Sequence, residues 1–368
     1  MRRKQAALPV GQLLIMGFEG AEMTAGLASL LQQIQPAGVI LFARNIESPR
    51  QTFTLLRACQ AQVHGPLFTC IDLEGGTVDR FRKILRPTPA AAEVYATHDR
   101  RVFQRHGRLI GDCCRALGLN TDFAPVVDLA FPASLAVMNS RAVSADPRQA
   151  AAYAREFLRG LAAAKVLGAI KHFPGLGEAN LDTHHELPRV EKSFAKLWQQ
   201  DLAPYRLLRR TAPMVLVGHA AYPAVTGDET PASLSKKWIG DVLRKKLGYR
   251  KLVVSDDLEM GGVLKAASIG EAAVGHIRAG GDLALVCHLE ERVREAYCAL
   301  VAESERSPAF TRRCRESLGR IEAFKKQSRE LKPERVPPSE KKVAGLVERI
   351  EAFAEAVRKA AAKVEANP

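Results

Sequence analysis

The stretch VLGAIKHFPGLGEANLDTHHELP, residues 166–188, joins an almost uninterrupted apolar run to a loop rich in charged and polar residues. The apolar part, residues 166–173, has the length and composition of a β-strand that is buried on both faces. Loops that leave a rigid element in this way commonly carry binding or catalytic groups. The sequence therefore predicts a functional loop here, with a solvated surface loop as the alternative.

Seven more apolar runs of this kind occur along the chain, and helical patterns separate them. Near-continuous apolar strands that alternate with helices indicate a parallel sheet covered on both faces. Eight such strands predict a closed (β/α)8 barrel, and an open doubly wound sheet is the alternative. The other runs are residues 12–18, 38–43, 66–72, 121–128, 214–220, 251–257 and 283–288.

Polar side chains stand at or just after the carboxyl ends of these runs. Barrels of this class place their active sites at that end of the strands. The pattern therefore predicts one site at the mouth of the barrel. The residues concerned are Asp72, Asp128, Lys171, His172, His219, Asp256 and His288.

The chain of 368 residues is 47% hydrophobic, enough for one large core, and we expect a barrel domain over residues 1–330. Three prolines in LKPERVPPSE, residues 331–340, predict a linker, because proline cannot continue a helix. Ser339 is a suitable N-cap for a helix over residues 341–368, whose apolar residues fall on one face. That face is expected to pack on the barrel or on a partner chain.

The net charge of +14 comes from scattered Lys and Arg, without the glycine-aromatic or zinc pattern of a nucleic-acid module. We therefore expect a basic solvated surface and no nucleic-acid partner. The seven cysteines lack the spacing of a disulfide framework, which suits a reducing compartment. The N-terminal apolar run is interpreted as the first core strand rather than a signal peptide, and no stretch is long enough to span a membrane. A cytoplasmic protein follows from this interpretation.

Two segments offer chemistry. In VVSDDLEM, residues 253–260, Asp256 ends a strand and Asp257 is expected to begin the turn. Such a carboxylate can attack a sugar's anomeric carbon, although a helix cap or a solvated acid is an equal alternative. In the loop, Asp182 lies close enough to His184 to orient its imidazole for acid and base work. No HExxH or CxxC accompanies this cluster, so no metal site is predicted.

Four segments together resemble glycoside hydrolase family 3, in its β-N-acetylglucosaminidase branch. They are IDLEGGTVDRFR (71–82), KHFPGLGEANLDTHHELP (171–188), PASLSKKW (231–238) and VVSDDLEM (253–260). The resemblance implies that Asp256 is the nucleophile, His184 the acid/base and Asp182 its orienting partner. It also implies that the sugar is held by Asp72, Arg80, Arg141, Lys171 and His172, and that no metal or organic cofactor takes part. The chain departs from the family pattern at Thr77 and Leu176.

The resemblance implies a cytoplasmic exo-acting β-N-acetylglucosaminidase that retains anomeric configuration. The expected substrates are small carbohydrates from the cell wall, with N-acetylglucosamine (GlcNAc) linked to an anhydro-muramic acid that can carry a peptide, as in peptidoglycan recycling. Many family 3 β-glucosidases draw their acid/base Glu from a second α/β domain, for which we expect no room after the barrel, so that activity ranks lower. The alternatives are another family 3 exo-glycosidase, a glycoside phosphorylase, and a catalytically dead sugar-binding barrel.

Overall fold

The computed structural model describes residues 8–134, 138–178 and 187–366. Eight parallel strands close into a barrel in the order β1-β10-β9-β8-β7-β6-β3-β2, so the predicted (β/α)8 fold is confirmed and the open sheet is excluded. A short antiparallel hairpin, β4 with β5, stands outside the barrel after β3. The strands are β1 Leu14–Met16, β2 Gly38–Leu41, β3 Phe68–Ile71, β4 Leu73–Gly75, β5 Val78–Asp79, β6 Thr121–Asp122, β7 Leu167–Phe173, β8 Met214–Val217, β9 Leu252–Asp257 and β10 Leu283–Val286.

Helices surround the barrel, and local sequence explains where several begin. Ser48 caps the second helix, with Pro49 in its first turn, and Ser268 forms a capping box with Glu271. The helices are α1 Ala25–Ile34, α2 Pro49–Ala61, α3 Ala91–Tyr95, α4 Arg100–Ala116, α5 Pro147–Ala163, α6 Phe194–Gln199, α7 Ala203–Leu208, α8 Pro223–Thr226, α9 Gly261–Leu264, α10 Ile269–Ala279, α11 Glu290–Arg306, α12 Pro308–Gln327 and α13 Glu340–Ala366. A π-helix covers Lys237–Lys246, and short 3-10 turns cover Val10–Leu13, Ala43–Asn45, Pro132–Ser134, Asn139–Arg141, Ala232–Leu234 and Arg329–Leu331.

The barrel strands are buried, as their apolar sequences predict. All seven residues of β7 are buried, including Lys171 and His172 at its carboxyl end. Charged groups are rarely buried unless they have partners. The two polar residues of β7 therefore mark a place where the structure must supply hydrogen bonds and opposite charge.

Two departures from the sequence prediction concern the carboxyl ends of β6 and β9. β6 ends at Asp122, and pairing with β7 resumes only at an isolated bridge between Val126 and Lys171. Pro125 lies in this interval and has no N–H to donate to a regular ladder. At the other site, β9 includes Asp257, which the sequence had placed in the turn, because Asp257 pairs with Leu285 of β10.

The last helix, α13, lies on the outside of the barrel. Ser339 accepts a hydrogen bond from the Lys342 N–H at 3.3 Å, as an N-cap does. The apolar face of α13 is buried through Leu346, Ile350, Phe353 and Val357. This packing supports our proposal of a barrel over residues 1–330, a linker over 331–340 and a tail helix over 341–368.

Two further properties bear on the setting of the protein. Within the described ranges, no helix combines the length and the apolar character needed to cross a bilayer. All seven cysteines are free thiols, and only Cys298 is exposed. Burial raises the pKa of the Cys59 thiol to about 12, so this thiol is held in its inert protonated form.

Candidate active site

The polar residues of the sequence pattern converge at one mouth of the barrel. Strands β3, β6, β7, β8 and β9 are consecutive neighbours in the barrel wall. The carboxyl ends of β3, β7, β8 and β9 carry Asp72, Lys171, His172, His219 and Asp256, and Asp128 follows β6. This is the face at which barrels of this class hold their catalytic groups.

Glu74 joins Arg141 and Lys171 into one buried ion network. The Arg141 Nε and Nη2 donate to the two Glu74 carboxylate oxygens at 2.7 and 2.9 Å, a forked pairing. The Lys171 Nζ lies 2.7 Å from Glu74 Oε1 and donates to Asp72 Oδ1 at 2.7 Å. Asp72 and Arg141 keep 20% and 18% of their side chains exposed, whereas Glu74 and Lys171 keep only 4%. The first two therefore face the mouth, and the other two lie beneath them.

The charges of this network fix one another. Burial opposes ionisation of Glu74, but Arg141 and Lys171 outweigh it and hold the pKa of that carboxyl far below its usual range. Burial likewise opposes the Lys171 ammonium, but Asp72 and Glu74 raise its pKa to about 12. At neutral pH the mouth therefore presents fixed positive and negative groups that can form charge-assisted hydrogen bonds.

His172 is oriented by Asp128. The His172 Nδ1 donates to Asp128 Oδ2 at 2.6 Å, and Asp128 Oδ1 accepts the Leu176 N–H at 2.8 Å. The other ring nitrogen, Nε2, lies 3.4 Å from Arg141 Nη2, which can only donate. His172 therefore uses Nδ1–H toward Asp128 and turns an acceptor toward Arg141 and the mouth.

Asp256 lies in β9 with its carboxylate at the same mouth. Its Oδ1 accepts the Asp257 N–H at 2.9 Å. Burial opposes its ionisation, but its pKa is nevertheless lowered, and the Lys171 ammonium and the Asp257 N–H contribute to this. Asp256 is therefore a carboxylate at neutral pH, the form that a nucleophile needs.

His219 supports this strand from within. Its Nε2 donates to the Asp257 carbonyl at 2.8 Å, so its Nδ1 accepts from the Ser233 hydroxyl at 2.7 Å. Complete burial lowers the pKa of His219, which agrees with a neutral ring. Ser233 belongs to the PASLSKKW segment, so this contact gives a physical reason for that motif.

Arg80 lies on a separate rim of the mouth. Its guanidinium is 5.6 Å from the centre of the Phe42 ring, and the His288 ring is 5.3 Å from the same phenyl. The Asp257 and Glu259 carboxylates accept hydrogen bonds from His288 and raise its pKa to about 9, so the half-exposed imidazole is positively charged at neutral pH. Within the described residues Arg80 has no ion pair, so it stands apart from the Glu74 network.

The same rim holds the one group of potential metal ligands found in the described ranges. Ligand atoms of Asp257, Glu259 and His288 lie within 4.8 Å of one another. The His288 Nδ1 is 3.0 Å from Asp257 and 3.2 Å from Glu259, at ion-pair distance from both. A protonated imidazole therefore already balances the two carboxylates, and a reaction without metal stays a prediction.

Asp182, His184 and the neighbouring His185 lie outside the described residues. The described start of their loop is held by a buried ion pair, because Lys192 Nζ donates to Asp201 Oδ2 at 2.8 Å. Lys192 also lies 3.2 Å from Glu178, the last residue before the gap. A side chain at Gly175 would meet Asp201 at 2.7 Å, so the backbone passes directly over this pair.

A family model matches most of the barrel. The model of the glycosyl hydrolase family 3 N-terminal domain covers residues 7–321. The chain belongs to glycosyl hydrolase family 3. The family predicted from the four sequence segments is therefore confirmed.

Known members of family 3 are similar over most of their length. A beta-hexosaminidase of Stenotrophomonas maltophilia (strain R551-3) is 36% identical over 305 residues, which cover 81% of this chain and 90% of the relative. The structure of a β-N-acetylglucosaminidase from Paenibacillus sp. str. FPU-7 aligns with a TM-score of 0.87 at 33% identity, over 95% of this chain and 69% of that one. A β-N-acetylhexosaminidase from Beutenbergia cavernae aligns with a TM-score of 0.78 at 26% identity, over 86% and 97%.

The sequence prediction of this family 3 site missed Glu74 and gave no role to Asp128 or His219. Glu74 stands two residues after Asp72, and residues at that spacing in an extended chain point to the same side. This spacing is the signal that could have identified it. Asp128 and His219 were among the residues at strand ends, but their partners, His172 and Ser233, could not be assigned without the fold.

Proposed function

We propose that this family 3 member is an exo-acting β-N-acetylglucosaminidase that retains the anomeric configuration of its substrate. The observation that carries the proposal is Asp256, an ionised carboxylate beside the Asp72, Arg141 and Lys171 network. The similarity to a beta-hexosaminidase and to a β-N-acetylglucosaminidase structure supports the choice of sugar.

The reaction that we propose has two steps. Asp256 attacks the anomeric carbon and forms a covalent ester as the bond to the aglycone oxygen breaks, and His184 donates its proton to that departing oxygen. A water molecule then attacks the anomeric carbon, its proton passes to His184, and Asp256 leaves as a carboxylate. Two inversions give net retention. Asp182 holds the His184 imidazole and raises its basicity.

In this proposal five residues hold the sugar. Asp72 and Arg141 offer charge-assisted hydrogen bonds from the exposed side of the network, and Lys171 contributes from beneath Asp72. His172 offers its Nε2, and Arg80 contributes from the rim.

We propose a natural substrate from the cell wall, namely GlcNAc linked to an anhydro-muramic acid that can carry a peptide. Such fragments are anionic, and their carboxylates suit both the net charge of +14 and the cationic groups of the rim, Arg80 and His288. A place in peptidoglycan recycling in the cytoplasm follows, and the seven free cysteines suit that reducing compartment.

Phosphorolysis is a second candidate. A His acid/base carries no negative charge, so it does not repel an incoming phosphate as a carboxylate would. The rim also holds two cations, Arg80 and His288, that favour an anion. Adding phosphate and measuring sugar-1-phosphate separates the two reactions. Turnover of an aryl N-acetylglucosaminide excludes the third alternative, a catalytically dead barrel.

Aryl β-glycosides that differ only in the sugar test the proposal. We expect turnover of the GlcNAc derivative, with a β-anomer as first product by NMR. A slow fluorinated substrate should label Asp256, and Asp256→Ala should abolish cleavage in a protein that stays folded. Labelling of Asp257 would move the nucleophile by one residue, and an inverted product would refute the two-step mechanism.

A further inference from the structure

The tail helix α13 contacts the barrel next to the sugar-binding network, although it lies beyond the residues matched by the family model. Phe353 of α13 is buried, and its ring stacks on the His106 imidazole with 5.8 Å between centres and 18° between planes. The Arg105 guanidinium lies 5.5 Å from the same phenyl ring. This stack is the first of three contacts that lead inward.

His106 forms the second contact. Its ring is fully buried, and its Nδ1 bonds to the Tyr153 hydroxyl at 2.9 Å. On the opposite side the ring meets the hairpin backbone, because a Cβ on Gly75 would lie 3.2 Å from His106 Nε2 and 2.2 Å from the Pro89 carbonyl. Gly75 has a φ of +85°, and it directly follows Glu74.

The hairpin forms the third contact. Gly76 donates to the Thr88 carbonyl at 2.8 Å, and Asp79 accepts the Thr88 N–H and hydroxyl at 2.9 and 3.0 Å. These bonds hold the hairpin on the segment that His106 supports. Glu74, on the same hairpin, carries the forked bond from Arg141 and the contact with Lys171.

Phe353 supplies the contact between α13 and His106, and Arg349 of α13 donates separately to Asp112 of α4 at 2.6 Å. A cavity of about 540 Å³ separates the later turns of α13 from the hairpin, with Val357 and Ala361 on one wall and Gly76 and Thr88 on the other. The ion pair between Glu351 and Arg86 is more than half exposed on both sides, and such pairs contribute little.

We infer that α13 is a positioning element of the sugar-binding network, acting from Phe353 through His106 and the hairpin on Glu74. The inference rests on the proposed function, because it assigns to Arg141 and Lys171 the binding of sugar. None of the residues of α13 needs to touch substrate for this role. Phe353 and His106 are positioning residues.

A distinctive readout follows from the burial of His106. Burial outweighs the opposing effect of the Pro89 carbonyl and lowers the pKa of this imidazole to about 3, so the ring is neutral beside Gly75. Titratable or charged groups on the elements packed against it include the bonded Tyr153, Arg105 beside the Phe353 ring, and Glu74 and Asp79 in the hairpin strands. If Phe353→Ala uncovers the ring, it will protonate at a higher pH, which disturbs the hairpin under mildly acidic conditions.

The test compares Phe353→Ala with Ile350→Ala in the full chain. Ile350 is equally buried on the same face of α13, so its truncation controls for loss of helix packing. We expect Phe353→Ala to lower kcat/KM for an aryl N-acetylglucosaminide by about tenfold, mainly through KM, with a new acid limb near pH 6. Ile350→Ala should stay within about threefold of wild type at every pH, and Phe353→Leu should restore most of the loss by refilling the volume.

An NMR titration of the His106 imidazole provides a readout that needs no activity. Its pKa should rise in Phe353→Ala and not in Ile350→Ala. If wild type does not cleave the substrate, the proposed function is wrong, whereas an active wild type with equal effects of the two alanine variants overturns the positioning role. If Phe353→Ala does not fold, Phe353→Val, which also removes the ring, and Ile350→Val replace the pair. Equal kinetics and equal His106 titrations in that pair likewise overturn it.

Discussion

Replacing Glu74 by alanine tests the buried network in isolation. The change removes the acceptor of two Arg141 bonds and of the 2.7 Å contact with Lys171. Lys171 keeps Asp72, but among the described residues Arg141 is left with only the 3.4 Å contact to His172 Nε2. Breaking a buried ion pair on one side costs about 3–5 kcal/mol, because the remaining charge is uncompensated. We expect that loss in the free energy of unfolding of Glu74→Ala.

The same change should displace the Arg141 and Lys171 side chains in the mouth. A misplacement of about 1 Å in positioning groups can lower kcat/KM by about a hundredfold. Urea denaturation gives the stability, and initial rates with an aryl N-acetylglucosaminide give kcat/KM. Glu74→Gln keeps the shape and one oxygen acceptor, so it should lose about 1–3 kcal/mol and less activity. A Glu74→Ala protein with an unchanged urea midpoint, or with kcat/KM within threefold of wild type, would refute the network's role.

Three other predictions concern proton transfer, sugar binding and acid stability. His184→Ala should slow cleavage of a GlcNAc disaccharide by orders of magnitude more than it slows formation of the glycosyl-enzyme from dinitrophenyl GlcNAc. The reason is that only a poor leaving group needs a proton. If His185→Ala had the same effect as His184→Ala, this prediction would be wrong. Arg141→Ala should lower kcat/KM by a similar factor for every leaving group, and a loss that grows with poorer leaving groups would show a role in proton delivery. Burial lowers the pKa of His106 to about 3 and that of His276 to about 4. Below the ordinary pKa of 6.5 these imidazoles bind a proton in the unfolded chain but not in the folded one, so the free energy of unfolding falls as pH falls. Between pH 6.5 and 4 each imidazole should lower the free energy of unfolding by about 1.4 kcal/mol per pH unit. Urea denaturation at pH 7 and at pH 5 should therefore show a smaller loss of stability for His276→Gln than for wild type.

The sequence by itself determined the barrel and the strand that carries Asp256. Buried strands of a parallel barrel need apolar residues on both faces, so each strand appears in the sequence as a continuous apolar run that can be recognised without knowing its neighbours. The polar residues at the strand ends were equally visible, because parallel strands all present the same end to one mouth. The four segments around these ends were enough to indicate family 3.

The tertiary structure alone decided which of these polar groups meet. Glu74 and Arg141 are 67 residues apart, and His172 and Asp128 are 44 residues apart, so only closure of the barrel and the path of the hairpin bring them into contact. The sequence also could not predict whether the apolar face of α13 packs on the barrel or on a partner chain. An apolar helical face indicates that the face is buried, but it does not indicate which surface buries it. The stack of Phe353 on His106 depends on the positions of α4 and the hairpin, which no local pattern encodes. Spacing along the chain thus reports burial, whereas the pairing of buried charges depends on distances that exist only in the folded barrel.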